Sequence, residues 1–182
     1  MKKALYTLGL IAGSGIAAQA QSSAIKLNLF SLAAQTGSVS FEQKTGDMNS
    51  FQIGAFYTGY NVGGTKLSGF GITPEYRFYV TGEALQGFYL APFIRYQYFN
   101  LSDENTSFGG GSTKNEATLS TFGGGVNLGY QWVFKQHIVL EPFLRVGYNK
   151  GSVKVKSGGY NYDLGSFDGF SLLPGLNLGY AF

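Results

Sequence analysis

Five charged residues lie inside runs that are otherwise apolar or small. Glu75 and Arg77 sit in ITPEYRFYV (72–80), Arg95 in LAPFIRYQYF (90–99), and Glu141 and Arg145 in LEPFLRVGYN (140–149). They include every arginine of the chain. Two chemistries suit such a set. Carboxylates and guanidinium groups can pair into a buried network, because the planar arginine fork makes several hydrogen bonds at once and an isolated buried charge is costly. The same arginines could instead form a gate or an anion-binding site.

Catalysis is harder to assemble. A hydrolase or acyltransferase needs a general base beside a nucleophile, usually a histidine. The single histidine, His137, falls in a turn of two or three residues, and its nearest acid, Glu141, lies on the neighbouring strand segment. It reads as a rim residue. The acids Asp103, Glu104, Asp163 and Asp168 lie in polar stretches with nothing spaced to pair them. No cluster has the ligand set of a zinc site or the spacing of a calcium loop. The glycine runs at 109–111 and 123–125 lead neither into a helix nor into a Lys-Ser/Thr pair, so neither is a phosphate loop. There is no cysteine. The expectation is a protein without catalytic residues, cofactor or metal.

The elements that carry these charges are strands. Eight segments alternate with period two: 24–33, 38–44, 49–60, 69–80, 87–99, 118–134, 137–149 and 169–182. One phase is apolar throughout, as in Phe70, Ile72, Pro74, Tyr76, Phe78 and Val80. The other is small, polar or charged, although Phe93 and Phe143 belong to it. Glu75, Arg77, Arg95, Glu141 and Arg145 all fall in that second phase.

Two barrels produce this pattern. A soluble lipocalin-like barrel turns the apolar face inward and shows a Lys- and Glu-rich face to water; a membrane barrel turns the apolar face to lipid. Only 13% of the residues are charged, against roughly a quarter in ordinary soluble domains. Gly, Tyr and Phe number 28, 13 and 16. The strand ends finish in Tyr96, Tyr98, Trp132, Phe134 and Tyr148, as aromatic girdles at two interfaces require. The fold expected is all-β: an eight-stranded antiparallel up-and-down transmembrane β-barrel.

The N-terminus agrees with that destination. Lys2 and Lys3 precede an apolar run, and Ala18-Gln19-Ala20 fits a small-residue cleavage site. Residues 1–20 therefore read as a signal peptide, and 21–182 as the barrel. Loss of Lys2 and Lys3 lowers the formal charge from +3 to +1, so the basic pI of 9.0 is no sign of nucleic-acid binding. With both termini periplasmic, 45–48, 81–86 and 135–136 are inner turns, and 34–37, 61–68, 100–117 and 150–168 face outward. The VKVK stretch at 153–156 alternates and could extend a strand beyond the membrane.

AIKLNLFSLAAQTGSVSFEQ, GFGITPEYRFYV and GFYLAPFIRYQYF together resemble the small outer-membrane barrels of unknown function found in Bacteroidetes. More broadly, the chain is similar to eight-stranded barrels of the OmpX and OmpA-transmembrane type. That resemblance implies location and fold but no activity. The terminal GLNLGYAF, with Tyr180 and Phe182, resembles the signal read by the barrel assembly machinery. The partners expected are outer-membrane lipid, that machinery during biogenesis, and an unidentified extracellular ligand of the loops, with the protein a monomer.

Three functions fit: a non-enzymatic barrel with a side-chain-plugged lumen, acting through envelope structure or its outer loops; a transporter of small or hydrophobic solutes, with the glycine-rich FGGGVNLG as the weak point of the wall; and a lipid-modifying enzyme. Eight strands enclose a lumen only wide enough for side chains, which favours the plug. The prolines at 92 and 142 each delete a ladder donor that lipid cannot replace. They are expected at bulges or near the inner rim.

Overall fold

The computed structural model describes residues 21–62, 65–106, 112–157 and 169–182, and of 62, 103–106, 112–115 and 153–157 the backbone only. The signal-peptide reading and the acids Asp163 and Asp168 lie outside the described residues, as do the side chains of Asp103 and Glu104.

Eight strands follow one another around a closed antiparallel barrel, each hydrogen-bonded to its sequence neighbours, with the last closing on the first. They are β1 (Ser23–Asn28), β2 (Thr36–Gly46), β3 (Asn49–Val62), β4 (Thr65–Tyr79), β5 (Gly87–Thr106), β6 (Ser112–Phe134), β7 (Ile138–Ser157) and β8 (Gly169–Ala181). A short helix, α1 (Leu29–Ala33), interrupts the path from β1 to β2. Strand count, order and antiparallel sense are those the alternation predicts.

The orientation of the wall decides between the two barrels. On β4 the apolar phase is exposed at Phe70, Ile72, Tyr76 and Phe78, while Thr73, Glu75 and Arg77 are buried. The same holds around the circumference, with Ile53, Leu90, Trp132, Leu144 and Leu178 all exposed. Apolar surface this continuous is far beyond the patches of a soluble monomer. It matches the lipid-facing band of a membrane barrel.

Glycines in the inward phase make room for large inward side chains of the residues paired with them on the neighbouring strand. A Cβ at Gly175 would overlap the ring of Phe143, and one at Gly71 the ring of Phe56. At Gly129 it would meet the Tyr89 hydroxyl.

Three features differ from the sequence expectation. The segment 24–33 is strand only as far as Asn28. There Asn28 Oδ1 accepts hydrogen bonds from the backbone N–H groups of Phe30 (3.0 Å) and Ser31 (3.2 Å), capping α1. In LFSLA the period-two pattern has already failed, since Leu29 and Phe30 are adjacent apolar residues. Second, β5 and β6 run well past the apolar band, so much of 61–68 and 100–117 is ladder rather than loop; β7 also runs on to Ser157, the strand extension that the VKVK alternation allowed. Above the lipid a hairpin needs only pairing, not an apolar face, so polar residues extend it.

Third, the prolines are not at bulges. Between β4 and β5 the register is constant from Thr65↔Asp103 to Tyr79↔Tyr89, but pairs are missing beside Pro74 and Pro92. Both residues remain paired on their other side, as Ile53↔Pro74 and Pro92↔Val126. In an antiparallel ladder a residue directs its N–H and C=O to the same neighbour. Pro74 and Pro92 therefore turn their missing donors onto one shared seam. Pro142 likewise interrupts β6–β7 while pairing with Leu176 on β8. These positions lie within the apolar band, so the expectation of bulges or an inner-rim position fails.

Candidate functional site

The inward phase of seven strands converges on one buried charged cluster in the half of the lumen nearest the short turns. Arg77, on β4, is its centre and has no exposure. Its Nε donates to Glu75 Oε1 at 2.7 Å. Its Nη2 lies 3.0 Å from Glu141 Oε1 on β7, and its Nη1 lies 3.2 Å from Glu42 Oε2 on β2. The same Nη1 also donates to Gln131 Oε1 on β6 at 3.1 Å. The guanidinium also lies over the Tyr89 ring of β5, with Cζ 4.2 Å from the centroid.

Lys26 on β1 completes the arrangement. Its Nζ donates to Glu42 Oε2 at 2.6 Å, Glu141 Oε2 at 2.5 Å and Gln131 Oε1 at 2.9 Å. The carboxylates accept further bonds, from Tyr79 to Glu42 (2.7 Å), from Tyr89 to Glu141 (2.5 Å), and from Ser50 to Glu42. Gln52 donates to Glu75 at 2.9 Å. Each charge is therefore both paired and hydrogen-bonded, the condition under which buried ions are tolerated.

Below the cluster, the turn between β4 and β5 folds across the end of the barrel. Leu85 is buried with φ 76°, and its carbonyl accepts from Gln131 Nε2 at 2.8 Å.

Arg145 and Arg95 form a second level, further from the turns. Arg145 Nη2 donates to Glu75 Oε2 at 3.0 Å, linking the two levels. Arg95 Nε donates to Thr73 Oγ1 at 3.1 Å, and no ion pair reaches Arg95 among the described residues. Both guanidinium groups lie beside the Phe93 ring, with Cζ 5.5 Å (Arg95) and 5.1 Å (Arg145) from its centroid; Arg145 is also 5.3 Å from Phe143. Cation–π contact with inward-facing phenylalanines thus replaces the second carboxylate that an even pairing would need.

A family model described as "Protein of unknown function (DUF3575)" matches residues 6–163. The chain belongs to the DUF3575 family. No curated protein sequence matches it. Among solved structures, it is similar to a major outer membrane protein from Thermus thermophilus, with 14% identity and a TM-score of 0.51 over 90% of this chain and all of that one. The N-terminal β-barrel domain of Pseudomonas aeruginosa OprF aligns over the same shares of each chain with 15% identity and a TM-score of 0.36. At such identities the first of these shows a shared barrel fold and nothing finer.

In the DUF3575 chain the five residues singled out by sequence do face one lumen, but two levels divide them. Glu75, Arg77 and Glu141 belong to the inner cluster, Arg95 lies outside it, and Arg145 bridges. Sequence reasoning passed over Lys26, Glu42, Tyr79, Tyr89 and Gln131. The signal was present, since each lies in the inward phase and all but Glu42, which has Phe41 on one side and Gln43 on the other, sit between exposed apolar neighbours, as Lys26 does between Ile25 and Leu27.

The girdle residues Tyr96, Trp132, Phe134 and Tyr148 are exposed on the outer wall, and Tyr98 packs against Phe70 with centroids 5.8 Å apart. Tyr180 and Phe182 are also on that outer surface. His137 stacks on Tyr180 at 4.9 Å, and its Nδ1 lies 3.0 Å from the Ala181 carbonyl. Its described contacts are thus with the end of β8, not with an acid.

Proposed function

We propose that this DUF3575 protein is an integral barrel of the bacterial outer membrane whose lumen is closed by its own side chains, and that it acts without catalysis. In this reading, residues 1–20 are removed on export and Tyr180 and Phe182 are read by the assembly machinery. The monomeric barrel, of the kind found in Bacteroidetes, then meets its partners through its outward end. The observation that carries the closure is Arg77. It is wholly buried and bonded to carboxylates from β2, β4 and β7, so the cluster bridges the wall from several directions.

Planar-bilayer recording tests this reading. The refolded chain should show no stepwise conductance, whereas Lys26→Ala combined with Arg77→Ala should show measurable current or channel noise. Steady, ion-selective conductance of the unaltered protein would refute the plug. Replacing 107–111 and 158–168 with short Gly-Ser connections should leave heat-modifiable gel mobility intact and remove any surface-binding phenotype.

A second reading, transport of hydrophobic solutes with lateral exit, draws support from a different part of the wall than the glycine-rich β6. That strand pairs with β5 from Gly87↔Gln131 to Thr106↔Ser112 and with β7 nearly as far. The short seams are the two of β1, and that with β8 is limited to Ala24–Asn28 against Asn177–Ala181.

A further inference from the structure

The β1–β8 seam leaves part of the wall without a strand. β8 pairs with β7 from Gly169 to Tyr180, but with β1 only from Asn177 to Ala181. Above Asn177, the edge of β8 faces α1 instead, and α1 packs against both β8 and β2. The register places this stretch inside the apolar band, because Phe170 lies opposite Tyr148 and Leu172 opposite Val146. An unpaired strand edge in hydrocarbon is costly, so something must cover it. Pro174, in the middle of the stretch, has no N–H to leave unsatisfied.

The inward face of β8 is also exposed along this stretch. Leu173 belongs to the inward phase, between buried Gly175 and half-buried Ser171, yet it is 44% exposed. Leu172 beside it is 65% exposed, and Phe30 and Leu32 of α1 present apolar side chains nearby. Directly across from Leu173 on β7 stands Arg145. Its Nε is buried without a hydrogen-bond partner among the described residues. Next to it, Arg95 is 7% exposed and has no ion pair among the described residues. The interior charges described above comprise four cations (Lys26, Arg77, Arg95, Arg145) and three carboxylates (Glu42, Glu75, Glu141), so among the described residues the outer level carries the surplus positive charge.

We propose that this gap is a binding site for a single-chain amphiphilic anion of the fatty-carboxylate class, which enters sideways from the outer leaflet. The acyl chain lies along Leu172, Leu173 and α1. The carboxylate reaches Arg145 and Arg95 and supplies the negative charge that the outer level lacks. The proposal rests on the membrane-spanning reading above.

The test uses the full chain refolded into nanodiscs and a dansyl-labelled undecanoate as fluorescent probe, displaced by oleate, oleyl alcohol or butyrate. Saturable binding is expected, with oleate displacing the probe and both oleyl alcohol and butyrate displacing it at least tenfold less well. Arg95→Gln should weaken binding about tenfold, the size of one charge-assisted hydrogen bond, and Arg95→Lys should restore much of it. Leu173→Trp should block the entry and weaken binding to a similar degree. Heat-modifiable gel mobility identifies variants that have folded, and only those are compared.

Equal displacement by oleyl alcohol removes the role of the arginines, and equal displacement by butyrate removes lateral entry; either overturns the proposal. Binding untouched by both Arg95→Gln and Leu173→Trp does so too. A protein recovered from the outer-membrane fraction that binds no probe refutes this site alone. A soluble protein would refute the membrane reading with it.

Discussion

Arg77 Nη2 lies 3.0 Å from Glu141 Oε1 and so ties β4 to β7, strands whose residues here are 64 positions apart. The contact crosses the lumen rather than following the wall. Because the same guanidinium also serves Glu42 and Glu75, its removal leaves three buried carboxylates with reduced compensation. Arg77→Met should therefore destabilise the barrel by about 3–5 kcal/mol, the cost of breaking a buried pair from one side. Urea titration in lipid vesicles, followed by the fluorescence of Trp132, the only tryptophan, measures it. A loss below about 1 kcal/mol would show that water reaches the cluster freely.

Glu42 gives a second, independent check. It accepts from Lys26, Arg77, Tyr79 and Ser50, so Glu42→Gln keeps the shape but removes charge from four contacts. Charge-assisted bonds are each worth about 1.5–3 kcal/mol net, and neutralisation should cost at least one of them. Equality with the unaltered protein in the same titration would mean that the cluster does not need this carboxylate.

The lumen-facing glycines should not tolerate bulk. Gly175→Leu would drive a side chain into the Phe143 ring, and overpacking of this kind costs about 1–3 kcal/mol. Gly37→Ala, where the nearest atom to a new Cβ is 3.9 Å away, should stay within about 0.5 kcal/mol of the starting protein. The comparison of unfolding midpoints separates a packing cost from a general intolerance of glycine replacement.

The shared seam of Pro74 and Pro92 makes a prediction about exchange rather than stability. Pro92→Ala restores an N–H directed at β4, where the register aligns it with Tyr76. In lipid that donor has only the ladder to bond to. The new amide should exchange slowly with deuterated solvent by NMR, with the register unchanged. Fast exchange at that position would show that the donor points elsewhere.

How much of this was legible without coordinates differs from residue to residue. The inward placement of Arg77 and Arg145 follows from period-two geometry, because a strand residue flanked by lipid-facing neighbours has only one other face available. The same geometry contains Lys26 and Glu42, but in a six-residue strand and a polar one, where no proline–arginine frame draws notice. The end of β1 was readable in principle from Asn28 and the broken alternation after it. The prolines resisted because local sequence does not say which neighbour a given N–H faces. That is set by the register of both flanking strands, and only the assembled wall shows that Pro74 and Pro92 share a seam.

The sequence by itself determined the alternation, hence which side chains face lipid and which face the lumen, and with it the number and order of the strands. Tertiary structure decided which inward residues meet. The lateral stagger of neighbouring strands sets the level of each inward side chain, so Arg77 finds three carboxylates while Arg95 finds a threonine hydroxyl and a phenyl ring. Closure likewise depends on strand length at both ends of the chain. It left β1 too short to cover β8, so that Leu173 is exposed directly across from Arg145.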